Sequence, residues 1–588
     1  MEVSSEIRLF VRAASGRQRS VSVTTRCDGV FGLRNRVLVR SAYSNISSDL
    51  EKSSRERKAK IINVETTRIF KWWDYAVFAI LTLTALGTGF YFFRYWLTLE
   101  AWNSDPIALS FLTLLLAVQV AFWLFSWCLL PGMRRPIPVP AQLGWSVGVL
   151  TTFVPDAESL EMLRHTVQAL VAMDYPHDTW VLDEGDDPRV KALCIRLGAH
   201  HFSRKHLPHY QTEEGIFKSR TKYGNVNAWL HEIGFDRYDI ISAFDPDHVP
   251  KPSFLGRVLG YFEDEQIGYV QAAQVYYNQA ASFIARGAAE ETYAYYSTIQ
   301  MASYSLGYPI VTGCHNTHRT RALREIDGFA AHDADDLLIT LQYRVSGWQG
   351  VYVPEVLAVG LTPTDWTGYL RQQRRWARSV MNIKFRVFPR LAKRLPFRTR
   401  AISMLHGLSY LGEAMLPFFA LLLLVYLLVF SQVPVLGYLF VPQLFGFLIV
   451  LQLNDFFRQR FFLQPREEWG LHWRAGLMRY AKWPYCLLAL ADVVSNRTIP
   501  YILTAKQDTQ QSRNTVLWPH FLTTCALALA WLTGFTLHHQ PDVVLRIWTV
   551  VMMAVSLGLF ATQFRRFPAP FDSDLLLGRT PEVERGLK

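Results

Sequence analysis

Long apolar runs bracket one extended stretch of mixed polarity. Six runs have the length of a membrane-crossing helix: Tyr75–Leu97, Ile107–Leu130, Ala414–Phe430, Pro434–Leu453, Thr515–Leu537 and Ile547–Phe564. A bilayer core takes about 20 helical residues. The third run is short and is expected to extend backwards through Leu405–Gly412, which puts Glu413 and Pro417 inside it. Pro136–Ala401 is patterned differently. A strand-like run, Trp145–Val154, precedes a helical period over Glu158–Met173. A short strand, Trp180–Leu182, ends on Asp183. Pro188–Leu197 reads as a helix, and Asp239–Phe244 as a strand ending at Asp245. Strands alternating with helices predict an α/β domain with a mostly parallel sheet. Such sheets bind ligands at the carboxyl ends of their strands.

Charge gives the spans an orientation. The first 60 residues are rich in arginine, Arg134 and Arg135 follow the second span, and Asp455–Lys482 holds a further basic cluster. Arg565 and Arg566 follow the last span, while the Leu97–Ile107 connection carries Glu100 and Asp105 without Lys or Arg. An in–out count of six puts every basic cluster on one side, which predicts cytoplasmic termini and a cytoplasmic α/β domain in a multi-pass inner (plasma) membrane protein. The expected divisions are a disordered tail over 1–70, two spans over 71–135 and the α/β domain over 136–385. An interfacial helix and two spans over 386–455, interfacial helices and a loop over 456–514, two spans over 515–564 and a tail over 565–588 complete them. The Arg- and Ser-rich composition of Met1–Phe70 also suits a transit peptide.

Composition narrows the class. The 588 residues are 50% hydrophobic and 14% aromatic, with only 19% charged. That balance excludes a wholly disordered, collagen-like or disulfide-scaffolded chain. The net charge of +12 could suit nucleic acid, but the cations track the membrane-facing connections rather than one domain face, so no nucleic-acid partner is expected. The six cysteines are scattered without a CxxC pair, giving neither a zinc-site spacing nor a disulfide framework.

Five short strings carry chemistry. Asp183-Glu184-Gly185 closes a strand with two carboxylates that can accept hydrogen bonds from a base and ribose, although turns use the same residues. Lys222 opens Lys-Tyr-Gly-Asn-Val-Asn, where a lysine beside a glycine turn can reach a phosphate. Asp245-Pro246-Asp247-His248 spaces two carboxylates so that they can share Mg²⁺ or Mn²⁺. In Asp333-Ala334-Asp335-Asp336, clustered carboxylates raise one another's pKa, so one can act as a base; an Asp before an apolar run is also a helix cap. Gln372-Gln373-Arg374-Arg375-Trp376 offers cations for phosphate and an indole for a sugar face, or a basic interfacial helix with a Trp anchor.

In this order, between two membrane blocks, the five strings resemble the processive family 2 glycosyltransferases of the bacterial cellulose synthase type, over about Tyr75 to Phe564. Tyr501-Ile502-Leu503-Thr504-Ala505-Lys506 is similar to that family's gating loop. The resemblance implies a GT-A (Rossmann-like) domain inserted in a transmembrane bundle, a UDP-sugar donor, a divalent metal and a growing polysaccharide as acceptor. It implies Asp336 as general base, and Asp183, Glu184, Lys222, Asp245, Gln372 and Arg375 around the donor. Asp247, with Asp245, would hold the metal. Trp376, Cys314 and His315 would line the acceptor pocket, and Tyr501, Thr504 and Lys506 would close over the donor. Glu413, His406 and Tyr410 are expected to line a channel, because polar groups at membrane depth face a cavity. Membrane lipid and an accessory export subunit are the further partners implied. With 24 residues after Phe564, the family's cyclic di-GMP-binding PilZ domain is not expected. UDP-glucose is the expected donor and a β-glucan the product. Trp376-Ala377-Arg378-Ser379 instead resembles the chitin and hyaluronan synthase side, which implies UDP-N-acetylglucosamine. A non-catalytic scaffold or transporter is the reading from another class.

Overall fold

The computed structural model describes residues 6–12, 18–24, 64–97, 101–155, 157–430, 440–497, 515–537 and 543–565. Two compact units divide at residue 59. In the first, Glu6–Arg12 and Gln18–Thr24 pair antiparallel, with Leu9 opposite Val21. So part of the segment expected to be disordered is strand. The expected boundary at residue 70 also lies inside the second unit. There Thr66–Arg68 pairs with Arg134–Pro136, and Phe70 is buried against Phe457 and Phe461.

The second unit is built on a seven-stranded sheet. Its strands in chain order are β1 (Val147–Phe153), β2 (Asp178–Asp183), β3 (His200–Phe202), β4 (Ile240–Phe244), β5 (Ile267–Ala272), β6 (Asn316–Arg319) and β7 (Gln349–Val353). The spatial order is β7-β5-β6-β4-β1-β2-β3. Every pairing is parallel except those of β6, which runs against both β4 and β5. β4 and β5 do not pair with each other, so β6 alone joins the two halves. Strands β1, β4, β5 and β7 are buried along their whole length. This is why they read as continuous apolar runs rather than alternations.

Three helices position the site. α1 (Lys222–Trp229) is capped by the Thr221 hydroxyl on the Gly224 N–H. α2 (Asp335–Val345) begins on two aspartates, which favour the positive end of a helix dipole. α3 (Trp366–Asn382) is capped by Asp365 and carries the Gln372–Trp376 string.

Four helical segments among the described residues are long and apolar enough to cross a membrane: Trp72–Leu97, Pro106–Gly132, Phe397–Val429 and Val543–Thr562. Apolar side chains such as Ile80, Leu83 and Phe90 point outward from them, as lipid contact requires. Four of the six expected runs meet that measure among the described residues. The two other runs do form helices, Phe440–Gln459 and Trp518–Thr536, but the first ends in Asn454, Asp455 and Arg458, and the second opens on Pro519 and His520. The third span is interrupted where Gly407 adopts φ +81° between Phe397–Leu405 and Leu408–Val429. A Cβ there would lie 2.5 Å from Val380 Cγ1, so the approach of this break to α3 needs glycine.

Candidate active site

The carboxyl ends of β2 and β4 open into one cavity of about 2020 Å³. Its walls include Glu184, Lys222, Asp245, Asp247, Asp335, Asp336, Gln372, Arg375 and Trp376. The strand ends bring Glu184, Asp245 and Asp247 together, α1 supplies Lys222, α2 supplies the paired aspartates, and α3 supplies the last three. The same cavity continues past His406, Tyr410 and Glu413 to Phe122, Leu416 and Pro417 on the membrane-type helices. The three polar groups expected along a channel therefore lie on its wall.

Lys222 stands at the centre of the charge pattern. Its Nζ donates to Asp245 Oδ1, and to the Gly313 carbonyl at 2.7 Å. Burial opposes its charge, but Asp245 and Asp335 outweigh that and hold its pKa well above the ordinary lysine value. Burial, then the adjacent Asp336, pushes Asp335 up to about 7, with Lys222 opposing. Burial likewise raises Asp336, against the Leu337 N–H that donates to its Oδ1 at 2.7 Å. Clustered, enclosed carboxylates with raised pKa suit proton transfer near neutral pH.

Two expected site residues have other places. Asp183 is fully buried behind the cavity wall. Its carboxylate accepts the Gly185 N–H at 2.9 Å and the Asp187 N–H at 2.5 Å, with His201 Nε2 at 3.2 Å. It shapes the turn that presents Glu184, because a buried carboxylate must spend its lone pairs on nearby donors. His315 is also fully buried, with φ +57°, and packs against Phe244 and Phe254 rather than lining the cavity; its neighbour Cys314 does line it. Tyr501, Thr504 and Lys506 lie outside the described residues.

The arginines of α3 divide their work. Arg374 pairs with Asp492 at 2.7 Å and ties α3 to the helix Trp473–Val494, while Arg375 lines the cavity. Arg378 pairs with Asp333 at 2.6 Å.

Sequence reasoning missed two groups. Arg204 is completely buried and grips Glu184 with two bonds, Nε to Oε2 at 3.0 Å and Nη2 to Oε1 at 2.8 Å. It also donates to the carbonyls of Tyr210, Phe217, Lys218 and Thr221, so it fixes the segment leading into α1. Deeper in the cavity, Lys482 Nζ lies 2.9 Å from Glu291 Oε1 and 3.2 Å from Glu413 Oε2, and Tyr369 donates to Glu291 at 2.5 Å. A lysine inside the apolar run Tyr480–Cys486 was the signal for the second group.

Asp245, Asp247 and His248 bring ligand atoms within 4.8 Å of one another. Two carboxylates and an imidazole suit Mg²⁺ or Mn²⁺, so the residues fit the cation expected from the sequence.

Residues 148–379 match the family described as "Glycosyltransferase like family 2". The chain carries a family 2 glycosyltransferase domain. With its mixed sheet flanked by helices, this glycosyltransferase domain has the GT-A fold. It is homologous to bacterial cellulose synthase catalytic subunits. Cellulose synthase 2 of Novacetimonas hansenii is 26% identical over 303 residues, which is 49% of this chain and 18% of that protein. The UDP-forming cellulose synthase catalytic subunit of Xanthomonas axonopodis pv. citri is 27% identical over 301 residues, 49% of this chain and 38% of that protein. The likeness thus spans well under half the length of these relatives. Among solved structures, a mannosyltransferase from Pyrobaculum calidifontis in complex with GDP-Man and Mn²⁺ aligns at 15% identity and a TM-score of 0.43, over 67% of this chain and 99% of that one. Glucosyl-3-phosphoglycerate synthase from Mycobacterium tuberculosis, with Mn²⁺ and UDP, aligns at 15% identity and a TM-score of 0.25, over 36% of this chain and 70% of that one.

Proposed function

We propose that the protein is an inverting, processive polysaccharide synthase that transfers glucose from UDP-glucose to a growing β-glucan and passes the polymer through its own helix bundle. One observation carries this reading. The cavity that holds the carboxylates runs without interruption to the membrane-type helices. A glycan extended at Asp336 has a route along that wall.

The residues divide the chemistry. Asp336 takes the proton from the terminal hydroxyl of the acceptor. The freed oxygen attacks the anomeric carbon from the face opposite the diphosphate, so an α-linked donor yields a β-linked product. Lys222 and Arg375 oppose the charge that develops on the departing diphosphate, the electrostatic contribution expected to be largest. Asp245 and Asp247 would hold Mg²⁺ or Mn²⁺, which supplies further positive charge to a diphosphate. Glu184, fixed by Arg204, accepts hydrogen bonds from the nucleoside, and Asp183 acts through the turn it holds. Gln372 borders the donor and Trp376 stacks on the acceptor sugar. Thr504 and Lys506, with Tyr501, close over the donor. The basic connections favour an inner-membrane orientation with this domain in the cytoplasm.

Membranes containing the protein, supplied separately with radiolabelled UDP-glucose and UDP-N-acetylglucosamine, test the reading. Glucose incorporation into a polymer cut by a β-glucanase is expected. Incorporation from UDP-N-acetylglucosamine alone would replace the β-glucan with a chitin- or hyaluronan-type product. No transfer from either donor would leave the scaffold reading.

A further inference from the structure

A second set of donors meets at the cavity wall, which Cys314 and His248 line with His315 behind them. Cys314, His248 and His315 are each at most 2% exposed. Their ligand atoms lie within 4.8 Å of one another. His248 Nδ1 is 2.7 Å from His315 Nε2 and 3.3 Å from Cys314 Sγ. We infer that Cys314, His248 and His315 form a site for a thiophilic divalent cation, with Zn²⁺ the best fit, which draws His248 away from the Asp245–Asp247–His248 set and leaves the two carboxylates to Mg²⁺ or Mn²⁺.

The surroundings orient the ligands as metal sites require. His315 Nδ1 lies 3.1 Å from the Ala273 carbonyl, which can only accept, so Nδ1 carries the proton and Nε2 presents a lone pair inward. The other nitrogen of His248, Nε2, lies 3.9 Å from Asp247 Oδ1. The carbonyl behind His315 is an outer partner of the kind that metal-bound imidazoles use, and Asp247 faces the far side of the His248 ring beyond hydrogen-bonding distance. Gly360 lies flat on the His248 ring, where a Cβ would fall 2.3 Å from Cε1. The positive φ of His315 turns it inward beside Cys314.

Tetrahedral zinc with one sulfur and two nitrogens spaces N from N by about 3.3 Å and S from N by about 3.6 Å. The observed separations of 2.7 and 3.3 Å need to open by about 0.6 and 0.3 Å. On binding, Cys314 releases its thiol proton to solvent. The His248 proton moves from Nδ1, where it bridges to His315, to Nε2, where it faces Asp247. Spacing along the chain could not announce the site, because His248 and Cys314 stand 66 residues apart.

Co²⁺ titration of the full-length protein in detergent tests this directly, since a thiolate–cobalt charge-transfer band requires a sulfur ligand. One equivalent of the band is expected. Cys314→Ser should abolish it and weaken Zn²⁺ binding at least about tenfold, within the range for loss of a metal-site partner. Asp245→Asn should retain the band. Zinc-edge X-ray absorption of the wild type gives a reading free of any folding defect in a variant, with one sulfur and two imidazole nitrogens expected. An oxygen-only shell, or a band undiminished in Cys314→Ser, would overturn the site. Neither measurement depends on sugar transfer, so this inference and the proposed function fail separately.

Discussion

Lys222, on the first turn of α1, reaches across to the carboxylate of Asp245 at the end of β4. The cation suited to a diphosphate is held by the carboxylate suited to a metal. Lys222→Met removes the cation and its bond to Asp245. The expected outcome is a rise of about 10- to 100-fold in the donor KM, the scale of one or two charge-assisted bonds. Kinetics against UDP-sugar concentration, with the metal saturating, check it.

Asp336→Asn keeps the shape of the wall and removes the proposed base. Transfer should fall about 10²- to 10⁴-fold, as for loss of a positioned general base, while UDP binding by calorimetry stays within a few-fold of wild type. Equal turnover in the two proteins would reassign the base.

The pH profile follows from the paired aspartates. Burial, then the adjacent Asp336, holds Asp335 at about 7, while burial and the Asp245 charge raise Asp336 above the ordinary carboxylate value. A base works ionised, so the rate should climb with pH over a limb displaced above the ordinary carboxylate range. Asp335→Asn leaves burial and Asp245 in place around Asp336, so that limb should persist in the variant. The linkage for stability has the opposite slope. The folded protein holds these protons more tightly than the unfolded chain, so the pair favours the fold below pH 4 and that contribution is lost as pH rises through 7.

Arg204→Met should be the more damaging change for folding. It leaves Glu184 facing a buried apolar group and removes the donor shared by four carbonyls. A loss of about 3–5 kcal/mol is the usual cost of breaking such a pair from one side. Denaturant melts in detergent measure it, and Glu184→Leu on the same background should recover part of the loss.

The elements that could be read from sequence are those whose signal is local. Pro188–Leu197, with Asp187 as cap, has the same bounds in the structure as in the sequence pattern. Asp183 and Asp245 stand at strand ends as expected. Strand β6 was hidden because Asn-Thr-His-Arg has no apolar period and is only four residues long. Asp183 was misplaced because sequence locates a carboxylate at a turn without telling which donors it meets. Arg204 with Glu184, and Lys482 with Glu291, are partners far apart along the chain, brought together only by tertiary packing.

The reversed strand β6 also dictates an order of assembly. Strands β4, β1, β2 and β3 are all complete once residue 244 has left the ribosome, whereas β5 must await β6 and β7 for any neighbour in this sheet. A nascent chain halted before Gly313 thus presents Asp245 without the Gly313 carbonyl that Lys222 also holds. Joining the halves is a single late closure of high sequence separation, and such closures are slow. A helper that shields the exposed edge of β4 during synthesis would act on this step before any sugar is bound.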